Sequence, residues 1–226
     1  EASVSITLVS GTGYDLYLGS KQVTTDNASD VLGDGKTSFT YDATNNSGTL
    51  TLNGVALTAP IMSGLSTLTI DLQGTNTITT YGEAGIDGLT EADPSLVITS
   101  TSQQKGYLTI RNTNPDNSCG GVIGSGFRGD NSFSIDRSLA LYKPNGYYYL
   151  RVDTTHLAQI VPSYGLTVSD QVVCELNAND VFGDGTVRFN KSNHALTLNN
   201  ASIGSISTSL SELDIDLIGN NSMGTY

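Results

Sequence analysis

The chain has 226 residues and a formal net charge of −12, yet only 14% of its residues are charged. With 10 Lys and Arg residues and no basic cluster, it is a poor nucleic-acid ligand, because neutralising phosphates requires grouped cations. No apolar run reaches membrane-spanning length, so we also expect a chain that is not membrane-inserted.

Residues 14–81 recur, with short deletions, as residues 164–226. The segment DVLGDG at 30–35 matches DVFGDG at 180–185, and LTIDLQGTN at 68–76 matches LDIDLIGNN at 213–221. Length changes fall in loops, as duplicated structure requires. We therefore predict a first repeat copy over residues 1–160 and a second, truncated copy over residues 161–226 that is continuous with it.

In chain order, the first predicted element is a hairpin over residues 14–23, followed by a Gly-Asp-Gly turn. Period-two alternation then places Leu50 and Leu52 on one strand face, opposite two threonines. The same alternation indicates later strands at 68–72, 108–110, 133–135, 139–141 and 213–217. A Pro-Asn-Gly tip predicts a hairpin over 142–152, and residues 164–173 predict a second copy of the first hairpin.

Short strands separated by turn residues fit a sandwich, a meander barrel or a β-helix. Three features favour the β-helix: the strands are short and β-branched, the turns are rich in Asn, Gly and Thr, and small residues crowd positions 119–126. We predict an all-β chain, a right-handed parallel β-helix (β-solenoid) with antiparallel hairpin insertions.

Five segments carry a resemblance to a known group of proteins. The group is that of bacterial β-helix repeat proteins with carbohydrate-binding domains, and the segments that resemble it are QVTTDNASDVLGDG (22–35), LTLNGVAL (50–57), LTIDLQGTNTI (68–78), GGVIGSG (120–126) and LYKPNGYYYLRVD (141–153). The resemblance implies a secreted or cell-surface protein that binds polysaccharide or mediates adhesion. It also implies that some relatives bind acidic polysaccharide and calcium. It supplies no catalytic motif that can be transferred residue by residue.

The sequence contains no recognisable catalytic constellation. The two histidines, His156 and His194, lack a nucleophile elbow or zinc-ligand spacing around them. Alternation predicts that Asp71, Asp214 and Asp216 project outward. They are either solubilising residues or an acidic strip, and such a strip would suit an enzyme acting on uronides with calcium.

Calcium is the only cofactor that the composition suggests, because this cation prefers six to eight oxygen ligands. The candidate metal ligands are Asp30, Asp34, Asp87, Asp180 and Asp184. The alternative for the Gly-Asp-Gly turns is that each aspartate caps its own backbone. The two cysteines, Cys119 and Cys174, form either one disulfide or two buried thiols, and thiols are favoured.

Aromatic side chains provide the candidate ligand surface, because sugar rings stack on flat aromatic faces. The predicted 142–152 hairpin contributes the candidate ligand-binding residues Tyr142, Tyr147, Tyr148, Tyr149 and Arg151. The leading hypothesis is a non-catalytic, secreted or cell-surface module that binds a polysaccharide or cell-wall glycan, or mediates adhesion. The alternatives are a polysaccharide lyase or hydrolase acting on uronides with calcium, and a purely structural surface stalk.

Overall fold

The computed structural model describes residues 11–89, 94–103, 105–113, 123–124, 127, 133–142 and 157–224. Over these residues strands alternate with turns and no α-helix occurs, so the predicted all-β class is confirmed. No helix that could cross a membrane is found within these ranges.

The strands of the first copy are β1 Gly13–Leu18, β2 Lys21–Thr24, β3 Thr37–Asp42, β4 Ser47–Asn53, β5 Ala56–Leu57, β6 Ile61–Ser63, β7 Thr67–Gln73, β8 Thr75–Thr80, β9 Ile86–Gly88, β10 Ser95–Thr99, β11 Tyr107–Asn112, β12 Phe133–Ile135 and β13 Leu139–Tyr142. They are followed by β14 Leu157–Val168, β15 Gln171–Cys174, β16 Val187–Asn190, β17 Ala195–Asn199, β18 Ser202–Ile203, β19 Ile206–Thr208, β20 Asp214–Ile218 and β21 Ser222–Met223.

Parallel, in-register pairing joins strands that are far apart in the chain. β4 pairs with β7, β7 with β10 and β10 with β12, while β5 pairs with β8 and β8 with β11. β6 pairs with β9, and Ile86 bridges Ile123 in the same direction. The chain passes through these three stacks in the same order each time, which places aliphatic side chains one above another. Leu50, Ile70 and Ile98 form one such buried column.

Antiparallel strands flank these stacks, so the sheets are mixed. β3 pairs antiparallel with β4, and β14 pairs antiparallel with both β11 and β13. The predicted hairpins at 14–23 and 164–173 are confirmed by the antiparallel pairs β1–β2 and β14–β15. The finer prediction, a right-handed parallel β-helix, is not shown by this mixed arrangement.

The second copy repeats the pairing of the first. The pairs β14–β15, β14–β19, β16–β17, β17–β20 and β18–β21 correspond to β1–β2, β1–β6, β3–β4, β4–β7 and β5–β8. Each copy has its own cluster of buried aliphatic residues. β14 runs through the predicted boundary at 160/161, and the division into two copies at that point stays a prediction.

The last strands depart from the expected burial. Alternation predicts that Ile215 and Leu217 face the interior, as Ile70 and Leu72 do in β7, but both are exposed. The reason is that β10 covers β7 in the first copy, whereas β20 has β17 as its single neighbour among the strands described above.

Candidate functional site

The outer side of the sheet β12-β10-β7-β4-β3 carries hydroxyl groups in rows. The middle row contains Thr40, Thr49, Thr69, Val97 and Ser134. The flanking rows contain Asp42, Ser47, Thr67 and Ser95 on one side, and Ser38, Thr51, Asp71 and Thr99 on the other. We name the outward Ser and Thr residues of these rows the hydroxyl face.

The regularity of the hydroxyl face follows from the strand pleat. Successive outward residues on a strand lie about 6.7 Å apart, and paired residues on neighbouring strands lie about 4.8 Å apart. The intervening residues, such as Leu50 and Leu68, are fully buried and hold the backbone flat against the core. Each Ser or Thr hydroxyl both donates and accepts hydrogen bonds, so the face presents a repeating polar surface of low charge.

A shallow groove of about 310 Å³ lies on the hydroxyl face. This volume is at the lower end of the range for small-ligand sites. Its lining includes Thr49, Thr67 and Thr69 together with Asp42 and Asn45. The groove therefore combines hydroxyl groups with one amide and one carboxylate.

Tyr41 is held in place although it is 37% exposed. Its ring centroid lies 4.7 Å from that of Tyr14, and its hydroxyl donates to Asn46 Oδ1 at 3.0 Å. In the second copy Lys191 occupies the corresponding position, and its Nζ lies 4.9 Å from the centroid of the Tyr164 ring. Because Tyr41 alternates with the outward Thr40 and Asp42, its ring lies on the other side of β3, with Tyr14 and Phe39, and not on the hydroxyl face.

Asp42 is the one exposed carboxylate of the three rows in the first copy. The Asn45 side-chain amide donates to its Oδ2 at 2.7 Å, and the Thr44 backbone N–H donates to its Oδ1 at 2.9 Å. These hydrogen bonds, that of Asn45 first, lower the pKa of Asp42 below its ordinary value of 3.8. Asp42 is therefore ionised at neutral pH and cannot serve as a proton donor there.

Asp71 lies on the outer side of the sheet, as alternation predicts, but it is not exposed. It is 5% exposed, and its carboxylate accepts the backbone N–H of Thr101 at 2.7 Å and the Thr101 hydroxyl at 2.9 Å. Gln73 Nε2 donates to the same carboxylate at 3.1 Å. The prediction of exposure is wrong because the chain after β10 folds over this part of the sheet. Asp214 and Asp216 are exposed, as predicted.

The Gly-Asp-Gly turns show how the predicted calcium ligands are used. Asp30 Oδ1 accepts the backbone N–H groups of Gly33 and Asp34, and its Oδ2 accepts that of Gly35, all within 3.1 Å. Gly33 and Gly35 adopt positive φ, which glycine tolerates without strain. Both oxygens of Asp30 are therefore already occupied by the backbone of their own turn.

The other predicted ligands have similar local partners. Asp34 accepts the N–H of Lys36, and Asp180 accepts the N–H of Gly185. The Thr186 hydroxyl and the Thr186 backbone N–H both donate to Asp184 Oδ1. These two hydrogen bonds, that of the hydroxyl first, lower the pKa of Asp184. Asp87, in β9, accepts the N–H of Gly88.

A metal site would require several of these side chains to lie close together. Within the part of the chain that the structure describes, no cluster of three or more His, Cys, Asp or Glu side chains is placed to hold a metal ion. Calcium binding stays a prediction.

The predicted tyrosine surface lies mainly outside the described residues. Tyr142 ends β13 opposite Gln159 and is half-buried, while Tyr147, Tyr148, Tyr149 and Arg151 fall outside the described ranges. Cys174 carries a free, buried thiol, and its predicted alternative partner, Cys119, also falls outside them. The ligand-binding role of this hairpin stays a prediction.

A larger cleft, of about 910 Å³, lies where the two copies meet. Phe133, Leu139 and Leu141 line it from the first copy, and Ser207 and Ser209 from the second. Asp136 also lines the cleft and accepts hydrogen bonds from the Ser138 hydroxyl and N–H, which lower the pKa of Asp136. This cleft is a second candidate site.

No family model, curated protein or solved structure matches this chain. The resemblance to bacterial surface proteins therefore stays a prediction. Sequence reasoning had not singled out the hydroxyl face or Tyr41. The signal was present as Thr-x-Thr triplets at 49–51 and 67–69, but their alignment depends on the register between β4 and β7.

Proposed function

We propose that this protein is a non-catalytic module that binds polysaccharide through the hydroxyl face. The observation that carries the proposal is the groove on the hydroxyl face, in which Thr49, Thr67 and Thr69 lie together with Asn45. As the resemblance implies, the proposed location is outside the cell, either secreted or on a bacterial surface. Adhesion to a glycan-coated surface would use the same contacts.

The proposal includes a finer architecture, in which the three parallel stacks are the faces of a short β-solenoid and each set of three consecutive strands is one coil. The support is the repeated order of the strands: β4, β5 and β6 are followed by β7, β8 and β9, each pairing in parallel with its counterpart. Such stacking lengthens a flat face by one strand spacing per coil, and a linear polymer has a matching repetitive form.

The chemistry of the face suits sugar hydroxyls. A hydroxyl pair can exchange donor and acceptor roles, so a row of Ser and Thr tolerates many orientations of a polysaccharide chain.

Charge favours a neutral polysaccharide over a uronic-acid polymer. The chain has a net charge of −12, and the exposed carboxylate of the face is Asp42. Like charges repel across an interface, so a polyanion would bind poorly unless cations screened the repulsion. We therefore expect neutral glycans to bind in the absence of calcium.

A binding role is favoured over hydrolysis because of how the carboxylates of the face are arranged. Glycosidases ordinarily pair two carboxyl groups, one with a raised pKa that protonates the leaving oxygen. Asp42 has a lowered pKa, and Asp71 is buried beneath Thr101.

Affinity gel electrophoresis tests the proposal. The protein is run through gels that contain soluble neutral glucan, mannan, xylan or galactan, and through gels with polygalacturonate, each with and without a calcium chelator. We expect retardation by at least one neutral polysaccharide, unaffected by the chelator. The triple variant Thr49→Val, Thr67→Val, Thr69→Val should abolish most of it.

One variant serves as the matched control. Thr197→Val removes a hydroxyl at the second-copy position that corresponds to Thr51. None of these substitutions changes the charge, so mobility in a gel without polysaccharide must stay the same for all variants. Retardation that persists in the triple variant would contradict the proposed surface. The absence of retardation by every glycan would contradict the function.

A further inference from the structure

The groove on the hydroxyl face carries a negative charge at one end. Asp42, Ser47 and Thr67 are paired neighbours in one row across β3, β4 and β7, and all three line the groove. Paired residues on adjacent strands lie about 4.8 Å apart. Asp42 is the one charged side chain among the described residues that line the groove. A ligand in the groove therefore meets a row of hydroxyls that ends in a carboxylate.

The local hydrogen bonds of Asp42 leave part of its carboxylate available. The Asn45 side-chain amide donates to Oδ2 and the Thr44 backbone N–H donates to Oδ1. An ionised carboxylate has about four lone-pair sites, so each oxygen can accept a further hydrogen bond. The same two contacts, that of Asn45 first, lower the pKa of Asp42, and the side chain is exposed. The groove thus presents an accessible negative charge in a defined position.

A protonated amine suits this end of the groove better than a metal ion does. An ammonium group donates three hydrogen bonds, and Asp42, the Asn45 carbonyl oxygen and the Ser47 hydroxyl are acceptors that line the groove together. Calcium instead prefers six to eight oxygen ligands. Over the residues that the structure describes, no cluster of three or more His, Cys, Asp or Glu side chains is placed to supply them.

We propose that the groove prefers polysaccharides with free amino groups, and that Asp42 accepts hydrogen bonds from a protonated amine of the bound sugar. This inference rests on the proposed function, in which Thr49, Thr67 and Thr69 bind the sugar hydroxyls. N-acetylation removes the positive charge of the amine, so the acetylated polymer keeps the hydroxyl contacts and loses the ion pair. The net charge of −12 adds a long-range attraction for a cationic polymer.

The second copy differs at the positions that form this site. Ser192 stands at the position that corresponds to Asp42, and Ala195 stands at that of Thr49. Arg188, which is exposed, adds a positive charge to the same sheet. We therefore expect one amine-binding site per chain, in the first copy.

Isothermal titration calorimetry of the full chain tests the preference with a matched pair of probes, the β-linked hexamers of glucosamine and of N-acetylglucosamine. The titrations are run at about pH 5.5, where aliphatic amines are protonated and Asp42 is ionised. We expect the glucosamine hexamer to bind at one site per chain, at least about threefold more tightly than the acetylated hexamer, as for an exposed ion pair. Salt at ~0.5 M should reduce this preference, whereas a metal chelator should not change it.

Asp42→Asn removes the charge and keeps a side chain of the same size that can accept the Thr44 N–H. We expect this variant to bind the two hexamers about equally. Asp170→Asn is the matched control, because it removes the same charge from an exposed position in the turn between β14 and β15, outside the groove. This control should retain the preference, and circular dichroism should show that both variants keep the wild-type fold.

Equal binding of the two hexamers by the wild type, or no binding of the glucosamine hexamer, would overturn the preference. Equal losses in Asp42→Asn and Asp170→Asn would also overturn it, in favour of attraction by the net charge of the chain. Binding that a chelator abolishes would overturn it in favour of a bridging metal ion. The proposed function fails separately: a neutral polysaccharide whose retardation the threonine triple variant abolishes supports that function whatever the hexamers do.

Discussion

Asn76 shows how a single polar residue ties neighbouring strands together. It is buried, its Oδ1 accepts the Val55 N–H at 2.9 Å, and its Nδ2 donates to the carbonyls of Gln73 and Tyr107 at 3.0 and 3.1 Å. Asn76→Ala leaves these backbone groups without partners in the interior. We expect the free energy of unfolding to fall by about 2–3 kcal/mol, measured by urea denaturation.

Asn221 provides the control for this prediction, since it occupies the same position in the second copy. It accepts the Ala201 N–H at 2.8 Å and donates to the Ile218 carbonyl at 3.1 Å, but near solvent. Water can replace its hydrogen bonds, so Asn221→Ala should cost about 1 kcal/mol or less. Equal losses in the two variants would contradict the argument from burial.

Side-chain direction was predictable from the sequence at single positions, whereas burial was not. Alternation correctly places Asp71 on the side of β7 opposite Ile70. The alternation contains no information about the chain segment near Thr101, which lies 30 residues after Asp71 and covers the Asp71 carboxylate. For the same reason, the exposure of Ile215 was not predictable, because it depends on whether another strand lies beside β20.

At the scale of elements, Gly106 marks a close approach between two backbone segments. A Cβ at this position would lie 2.4 Å from the backbone carbon of Leu72 and 2.5 Å from its oxygen. Gly106→Ala must therefore separate β7 from the turn before β11, and we expect a loss of about 2–3 kcal/mol in unfolding free energy. Gly224→Ala, where a Cβ meets nothing within 4 Å, should change stability by less than about 0.5 kcal/mol. A loss for Gly106→Ala no larger than for Gly224→Ala would contradict this packing.

The junction between the copies should be sensitive to alkaline pH. The pKa values of Tyr107 and Tyr164 are raised above 10.0, first by burial and then by the negative charge of Glu175. Burial also raises the pKa of the Cys174 thiol above 9.0. The unfolded chain then loses these protons at lower pH than the folded chain does. This contribution to stability is fully present below about pH 9 and is lost as the pH rises through the folded-state values.

The double variant Tyr107→Phe, Cys174→Ala has no proton to lose at these two positions. We expect its unfolding free energy to fall less steeply between about pH 9 and 11 than that of the wild type, measured by urea denaturation at each pH. Tyr81→Phe changes an exposed tyrosine and should retain the wild-type slope. Equal slopes for the double variant and the wild type would contradict the role of the junction.

Local elements were easier to predict than their arrangement. The β1–β2 hairpin follows from a Gly-Ser turn between two short strands, and the structure confirms it. The pairing of β4 with β7, and of β7 with β10, joins segments 20 and 28 residues apart. Register between such segments is set by packing of the core, which a single sequence does not display.

At the scale of the whole molecule, the two copies share a pattern of strand pairing but differ on their surfaces. The first copy carries the hydroxyl face and Tyr41. In the second copy, the positions of these rows are occupied by residues such as Arg188, Asn190 and Ala195. Lys191 occupies the position that corresponds to Tyr41. Duplication thus preserved the core while the outer face diverged, and we expect glycan binding to reside in the first copy.

Threonine methyl NMR tests this central claim most directly. A protein labelled at its threonine methyl groups is titrated with an oligosaccharide of the polysaccharide that retards it in gels. The account predicts saturable shifts for Thr49, Thr67 and Thr69, and none for Thr197. Shifts confined to Thr167 and Thr208, which line the cleft between the copies, would contradict it.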